Sequence, residues 1–598
     1  MEISSISGPL PPIPDSLTIP QFIFDCEHVT RPVRRAGTPW LIDDTTGRAI
    51  GRDELRKRTL GLANALHLKY GIRDGDVVIL FSRNHIDYPV AMWATHMLGG
   101  VISGANPDFL ANELLYQVRA TRASMIIAHP ESLRIALEVA ETAGLPQDCV
   151  VLFNVESSMS TYSKSERDTI DDLVEYGLNM KTSFSEKRLD PGEAKTRLAF
   201  LSFSSGTTGQ PKAVAIPHYA LIANVIQMAA HNKINQNYCA WEDQRYRPGD
   251  IAIGGRYPLP YIYGLVVNLH FILHCAMTLV VVPKFNFTGM LDSIIRHRIT
   301  HLFLVPPQVV LLCKHEAVKR YDLRQYIRLI MCGAAPLSHE LNQQLFSMFP
   351  DAHIGQGYGM TETCTVTTMW PITSKRGKSG SKIFFRGLIF CFFDFISSPS
   401  GSGVLIPGTV ARVVKPDGSF AGYDESGELV VKSPSVALGY ANNEQATRET
   451  FIDGWVKTGD EVRIDKAGEV RVLDRLKEII KVKGLQVAPA ELEGCLLDHP
   501  DISNACVVGI PDDYCGELPL AFVVLNKEVS GRLERDPGLS AHLKASIMKY
   551  VADNKVGYKH LAGGVEFVSS IPTSPSGKLL RRVLRDQSSE MRKAKAKL

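Results

Sequence analysis

The run Ser204, Ser205, Gly206, Thr207, Thr208, Gly209, Gln210, Pro211, Lys212 gathers glycines, hydroxyl side chains and one ammonium directly after the β-rich stretch Leu198 to Phe203. These are the parts of a polyphosphate cradle: glycines let backbone N–H groups turn inward, hydroxyls donate hydrogen bonds, and a lysine offsets anionic charge. The order Gly-x-x-x-x-Gly-Lys-Ser/Thr is absent, so this is not a Walker A loop. A surface turn has the same composition, so other residues must decide between the two readings.

Further stretches decide it. Cys332 to Leu337 reads Cys-Gly-Ala-Ala-Pro-Leu, and Gly355 to Glu362 reads Gly-Gln-Gly-Tyr-Gly-Met-Thr-Glu. Gly454 to Asp460 reads Gly-Trp-Val-Lys-Thr-Gly-Asp. Asp474, Arg475, Leu476, Lys477 lead on to Gly484, Gln486 and Pro489, and Pro572 to Lys578 reads Pro-Thr-Ser-Pro-Ser-Gly-Lys. In this order the set resembles the acyl-adenylate-forming superfamily of AMP-dependent synthetases and ligases, and within it 4-coumarate-CoA ligases and peroxisomal acyl-CoA synthetases. The resemblance spans Leu198 to Arg582, most of the chain.

The resemblance implies ATP, Mg²⁺ and coenzyme A. It places ATP or AMP against Ser204, Ser205, Gly206, Thr207, Thr208, Gly209 and Lys212, with Gly333, Ala334 and Ala335 on the adenine side. Gln356, Gly357, Tyr358, Gly359 and Thr361 complete the nucleotide set. Tyr358 would stack on adenine, Thr361 would donate to the α-phosphate, and Glu362 would hold Mg²⁺, a hard cation that prefers oxygen. Asp460 would accept from the ribose hydroxyls, with Arg475 beside it. Lys578 is implied as the catalytic cation that neutralises charge between carboxylate and α-phosphate. Lys477 matches the hinge about which a small domain would turn for the second step. Lys481, Gly484 and Gln486 would then serve thioester formation.

The acid pocket departs from the pattern. Where the family usually carries Phe-His-Ile-Tyr, this chain has Pro260, Tyr261, Ile262, Tyr263. A tyrosine donates a hydrogen bond but cannot carry a histidine's positive charge. Tyr261, Tyr263, Gly264 and Met331 are the expected pocket residues. Ala213 replaces the usual glycine after the loop lysine.

The elements that must hold these groups follow from periodicity. Helical stretches Arg52 to Tyr70 and Asn112 to Ala120 alternate with β runs Val77 to Phe81 and Met125 to Ala128, which predicts doubly wound α/β layers. The βα rhythm resumes through Ile251 to Met331. Polar residues from Glu156 to Glu193 read as a solvated connection. Short punctuated strands within residues 403–474 (Val410 to Val414, Glu428 to Lys432, Glu469 to Leu473) predict a β-barrel-like subdomain. Residues 1–474 are thus expected to form a large N-terminal domain. Residues 475–598 form a small mobile α+β domain, with helices around Pro489 to Leu497, Leu539 to Val551 and Leu579 to Arg585.

Composition excludes other classes. Six hundred residues less two, 45% of them apolar, exceed one hydrophobic core and argue against a disordered chain. A net charge of +3 gives no whole-molecule field for nucleic acid. The 11 cysteines are scattered without a Cys-x-x-Cys pair, which fits a reducing compartment. Residues Met1 to Pro20 do not read as a secretory signal. The most apolar stretch, Ile383 to Ile396, is interrupted by Arg386 and Asp394 and falls short of the roughly 20 residues that span a bilayer.

Lys382 to Gly401 has no place in the family pattern. Its density of phenylalanine, without helical or alternating period, is read as a retained intron or gene-model error, the alternative being a membrane or partner contact. Ala596, Lys597, Leu598 form a variant of the Ser-Lys-Leu peroxisomal word, which implies an import receptor as partner. The expected activity is ATP-dependent activation of a small carboxylic acid through acyl-AMP and transfer to the CoA thiol, with secondary metabolism as its setting. The alternatives are loading of a carrier-protein thiol, or a non-catalytic homologue disabled by the insert.

Overall fold

The computed structural model describes residues 1–155, 167–204, 211–254, 259–333, 337, 339–375, 401–476, 478–482, 485–512, 515–555, 557–573 and 579–595. Its N-terminal part holds two large sheets with helices against them, and a smaller α+β part follows.

In the first sheet, Val150–Leu152, Met125–Ala128, Val77–Phe81, Val101–Ala105 and Leu198–Ser204 run parallel. Val77–Phe81 is buried at every position, as a strand covered on both faces must be. The helix Arg52–Tyr70 lies against this layer. It opens with Asp53 and Glu54 where carboxylates meet the positive helix end, and stops at Gly71, whose φ of +66° favours glycine. Two further strands extend the sheet antiparallel, Lys212–Pro217 and then Gly439–Tyr440. The last pair comes from far along the chain and brings Tyr440 beside Lys212.

The second sheet turns on one strand. The first half of His353–Met360 pairs parallel with Leu329–Cys332, and its second half pairs antiparallel with Thr365–Met369. It therefore joins the α/β layer (Leu329–Cys332, His301–Leu304, Ile251–Gly254, Thr278–Val281) to the β-rich layer of Gly401–Leu405, Glu469–Arg475, Trp455–Ile464, Gly427–Lys432 and Val410–Val414. The motif Gly357 to Glu362 sits at that change of partner, a topological switch of the kind where open α/β sheets bind ligands. The strand Glu2–Ser4 closes the far edge by pairing with Val410–Val414.

Two expectations need correction. The polar stretch after Glu156 is not all solvated connection: Ile170–Asn179 is a helix that buries Ile170, Leu173, Val174 and Gly177 against Arg52–Tyr70. Gly177 and Gly61 meet so closely that a Cβ on Gly177 would overlap the Gly61 carbonyl. The surrounding Ser, Thr and Lys masked this period. The last helix starts at Arg581 and runs to Lys595 rather than starting at Leu579, because Leu579 bridges Thr573 and the Leu580 N–H bonds the Pro572 carbonyl.

The smaller part builds a sheet from Leu485–Val487, Ile480–Val482, Gly516–Leu525 and Ile502–Asp512, with Gly564–Phe567 on Gly516–Leu525. It has its own core of Ile480, Leu492, Val507, Ala521, Val523, Ile547 and Val565. Residues 382–400, nearly all of the segment read as an insertion, lie outside the described residues. Its flanks are neighbours: Met369 pairs with Val404, and Gly403 (φ +99°) presses on the Met369 carbonyl. No helix among the described residues is long and apolar enough to cross a membrane.

Candidate active site

Ser204 and Lys212 pair in register at the point where their antiparallel strands end. That point faces Glu362. The Ser204 hydroxyl donates to Glu362 Oε1 at 3.1 Å, and the Tyr440 hydroxyl donates to the same oxygen at 2.9 Å. Lys212 Nζ stands 4.9 Å from the Tyr440 ring centroid, a cation over a π face. Burial next to the Glu362 carboxylate pushes the Tyr440 phenol above its usual range and keeps it a donor. Tyr440 escaped the sequence reading because its partners lie far away in the chain.

Glu362 is 6% exposed, and no cation lies within ion-pair distance of it among the described residues. A buried carboxylate that, among the described residues, accepts from the neutral Ser204 and Tyr440 hydroxyls suits a hard cation. No group of three or more His, Cys, Asp or Glu side chains gathers among the described residues. Mg²⁺ here would rest on Glu362 and draw its other oxygens from phosphate and water. Thr361 opens the short 3₁₀ turn Thr361–Thr363 that aims Glu362.

Four residues before Glu362, on the strand His353–Met360, the Tyr358 hydroxyl donates to Asp460 Oδ2 at 2.7 Å. Arg475 Nε donates to the other oxygen, Oδ1, at 3.1 Å, and Asp460 and Arg475 are direct cross-strand partners. Burial first, then the Asp460 charge, raises the Tyr358 phenol well above its ordinary value. A carboxylate offers about four lone-pair sites, so two bonds leave room for a diol. Gly357 and Gly359 are close-approach glycines: a Cβ on Gly357 would sit 2.7 Å from Met331 Cε, and one on Gly359 would overlap the Thr365 carbonyl. The Leu337 N–H donates to Gln356 Oε1 at 3.1 Å, tying Leu337 to this strand.

The side expected to take the acid is shaped by packing. A Cβ on Gly333 would lie 3.0 Å from Tyr263 Cε2, so the tyrosine ring lies across that glycine. Gly254, Phe303, Met331 and Gly355 stand in one register row across four strands. Tyr263 leads into a π-helix, Gly264–Phe271, which roofs this row. Trp93 Nε1 donates to His270 Nε2 at 3.1 Å, leaving His270 Nδ1 to donate to the Leu265 carbonyl at 2.7 Å. Burial holds the His270 imidazole at about 4. Tyr261 stands near Tyr88 and adds to the rise of the buried Tyr88 phenol.

The structure thus gathers Ser204, Lys212, Gln356, Gly357, Tyr358, Gly359, Thr361, Glu362, Asp460 and Arg475 around one strand, with Gly333, Met331, Tyr263 and Gly264 on its acid side. Lys481 and Gln486 are cross-strand partners in a hairpin of the small sheet, where the Lys481 N–H bonds Glu517 Oε2 at 2.8 Å. Ser205, Gly206, Thr207, Thr208, Gly209, Ala334, Ala335, Lys477, Gly484 and Lys578 lie outside the described residues, as do Ala596, Lys597 and Leu598.

Comparison with known proteins places this geometry. Residues 30–441 match the AMP-binding enzyme family and residues 491–578 the AMP-binding enzyme C-terminal domain. A 4-coumarate-CoA ligase 1 of Narcissus pseudonarcissus is 32% identical over 577 residues, covering 96% of this chain and 94% of the relative. A 4-coumarate-CoA ligase-like 1 of Arabidopsis thaliana is 32% identical over 583 residues, covering 97% and 96%. Among solved structures, an anthranilate CoA ligase in complex with anthranoyl-AMP superposes with a TM-score of 0.77 at 22% identity, covering 98% of this chain and 99% of that one. A benzoate CoA ligase from Burkholderia xenovorans does so at 0.73 and 21%, covering 95% and 100%. At these identities the solved structures share the fold.

Proposed function

The chain belongs to the AMP-binding enzyme family, and from that membership we propose that it joins a carboxylic acid to coenzyme A through an acyl-AMP intermediate. The observation that carries this is the strand His353–Met360 with the turn behind it, where Tyr358 holds the diol-ready carboxylate of Asp460 from a neighbouring part of the sheet and, four residues later, Glu362 offers a cation-ready one. In the first step the acid's carboxylate oxygen attacks the α-phosphorus of ATP and pyrophosphate leaves. In the second the CoA sulfur attacks the acyl carbon, AMP leaves with the bonding pair, and the thiol proton goes to water.

Tyr358 is read as the adenine platform, Asp460 with Arg475 as the ribose contact, and Ser204 with Lys212 as the base of the triphosphate loop. Mg²⁺ held at Glu362 would neutralise phosphate charge. Lys578 would supply the cation of the first step, and turning of the small domain at Lys477 would present Lys481 and Gln486 for the second. Relatives named 4-coumarate-CoA ligases favour an aryl acid and a setting in secondary metabolism. Ala596, Lys597, Leu598 would direct the protein to peroxisomes. A fusion with Leu598 free should be punctate and one ending at Lys595 diffuse; diffuse signal in both would refute that address.

The test is pyrophosphate release from ATP over a panel of acids, then AMP release on adding CoA. Both are expected with Mg²⁺. Pyrophosphate without CoA-dependent AMP release points to a carrier-protein thiol, and silence with every acid in folded protein points to a non-catalytic homologue.

A further inference from the structure

Asp460, Arg475, Glu478, Arg581 and Glu493 alternate in sign along a row that crosses from the large part of the molecule to the small one. On the large side Arg475 Nε meets Asp460 Oδ1 at 3.1 Å. On the small side Arg581 opens the helix Arg581–Lys595 and donates from Nε and Nη2 to the two oxygens of Glu493, at 3.1 and 2.7 Å. The Val507 N–H steadies Glu493 Oε1 at 2.8 Å. The remaining guanidinium nitrogen of Arg581, Nη1, bonds Glu478 Oε2.

Glu478 therefore stands between two guanidiniums. Its N–H donates to the Arg475 carbonyl at 2.8 Å and the Ile479 N–H donates to the same oxygen at 3.1 Å, a closed turn that keeps it beside Arg475. Burial works against the Arg475 charge, and Asp460 and then Glu478 outweigh it, which holds the guanidinium above its usual range. The Arg581 and Glu478 side chains are 12% and 15% exposed, so water and salt screen this pair far less than a surface pair. By contrast Lys314 Nζ, which donates to the Leu497 carbonyl at 3.2 Å across the same boundary, lies at the exposed surface.

We infer that Glu478 is a positioning residue: its carboxylate, shared between Arg475 of the large part and Arg581 of the small part, holds the two parts in the arrangement that serves the first step. The inference rests on the proposed two-step function and adds to it the group that sets the balance between the steps. Arg581 follows Lys578, the proposed cation of the first step, by three residues, and Arg475 holds Asp460, the proposed ribose contact. The bridge thus sets the root of the terminal segment beside the nucleotide. Rotation at Lys477 lies inside the turn that Glu478 and Ile479 close on the Arg475 carbonyl, so it must open that turn and draw Glu478 away from Arg475. Without the carboxylate two like charges face each other. Neither arginine is orphaned, because Arg475 keeps Asp460 and Arg581 keeps Glu493, so the fold survives and the bridge alone is lost.

The experiment uses full-length protein. With an acid found by pyrophosphate release, acid-dependent pyrophosphate exchange reads the first step, and thioester formation from chemically prepared acyl-AMP and CoA reads the second. Glu478→Gln should slow the first about tenfold and leave the second at the wild-type rate or above. Glu478→Asp, which keeps the charge, should stay near wild type in both; an aspartate variant as slow as the glutamine one overturns the inference. Equal slowing of both steps would mean that Glu478 serves the fold alone, and an unslowed first step that it holds nothing; either result also overturns it. Hydrogen exchange at the Ile479 amide needs no turnover. It should quicken about tenfold in Glu478→Gln and in Arg581→Gln, the latter change lying 103 residues along the chain from Glu478, and keep the wild-type rate in Glu478→Asp. An unchanged rate in either folded glutamine variant overturns the inference. If no acid is turned over, the proposed function fails, and exchange at Ile479 decides the inference alone.

Discussion

The proposed nucleotide side and the proposed acid side of this site are built on opposite principles. Around Asp460 and Glu362, polar groups meet polar groups: Tyr358, Arg475, Ser204 and Tyr440 each donate to one of the two carboxylates. Around Gly333 and Gly254, side chains lie across glycines: the Tyr263 ring over Gly333 and the Asn268 amide over Gly254. The first arrangement fits a ligand whose chemistry is fixed; in the proposed reaction the second leaves shape to choose among acids. A charge change should therefore damage the nucleotide side, and a volume change the acid side.

The largest effect is expected at the shared centre. Lys578→Ala should slow adenylation by about 10² to 10³, the scale of one preorganised electrostatic contact, measured as acid-dependent pyrophosphate exchange. A change of only a few-fold would remove Lys578 from that role. Asp460→Ala deprives Tyr358 and Arg475 of their common acceptor, and KM for ATP should rise by about 30-fold with little change in KM for the acid. Equal movement of both constants would erase the distinction between the two sides.

Gly333→Ala pushes a methyl 3.0 Å from the Tyr263 ring, which must shift. KM for bulky acids should rise about tenfold and KM for ATP should hold; the reverse outcome would place Gly333 with the nucleotide. The gentlest test concerns the supports. Burial holds His231, His270 and His301 at about 4, below the roughly 6.5 of an unfolded chain. The unfolded state binds protons first as pH falls, so stability is intact above about 6.5 and declines until about 4. Each imidazole costs about 1.4 kcal/mol per pH unit within that window. Urea midpoints at pH 7.5 and 5.0 should show the decline, and a flat response would mean that these rings do not stay neutral in the folded state.

Legibility in the sequence divided along the same line. Tyr358, Thr361 and Glu362 stand within one short run, so their chemistry can be read together. Tyr440 reaches Glu362 only because Gly439–Tyr440 pairs with Lys212–Pro217. The helix Ile170–Asn179 carries the apolar spacing 170, 173, 174, 177 inside a polar setting, and the setting dominated the reading. Arg475 was placed beside Asp460 through resemblance, whereas the pairing of their strands is what sets them face to face.

By itself the sequence determined which atoms are available to hold phosphate, ribose and metal, because contiguous motifs bring hydroxyls, carboxylates and glycines together whatever the rest of the chain does. It also determined the α/β alternation, since periodicity is a local property. Only the tertiary structure decided that His353–Met360 would join the α/β and β-rich layers, and that Tyr358 on it would meet Asp460 while Glu362 in the turn behind it meets Ser204 and Tyr440. Those facts depend on strand partners set by contacts between residues far apart in the chain.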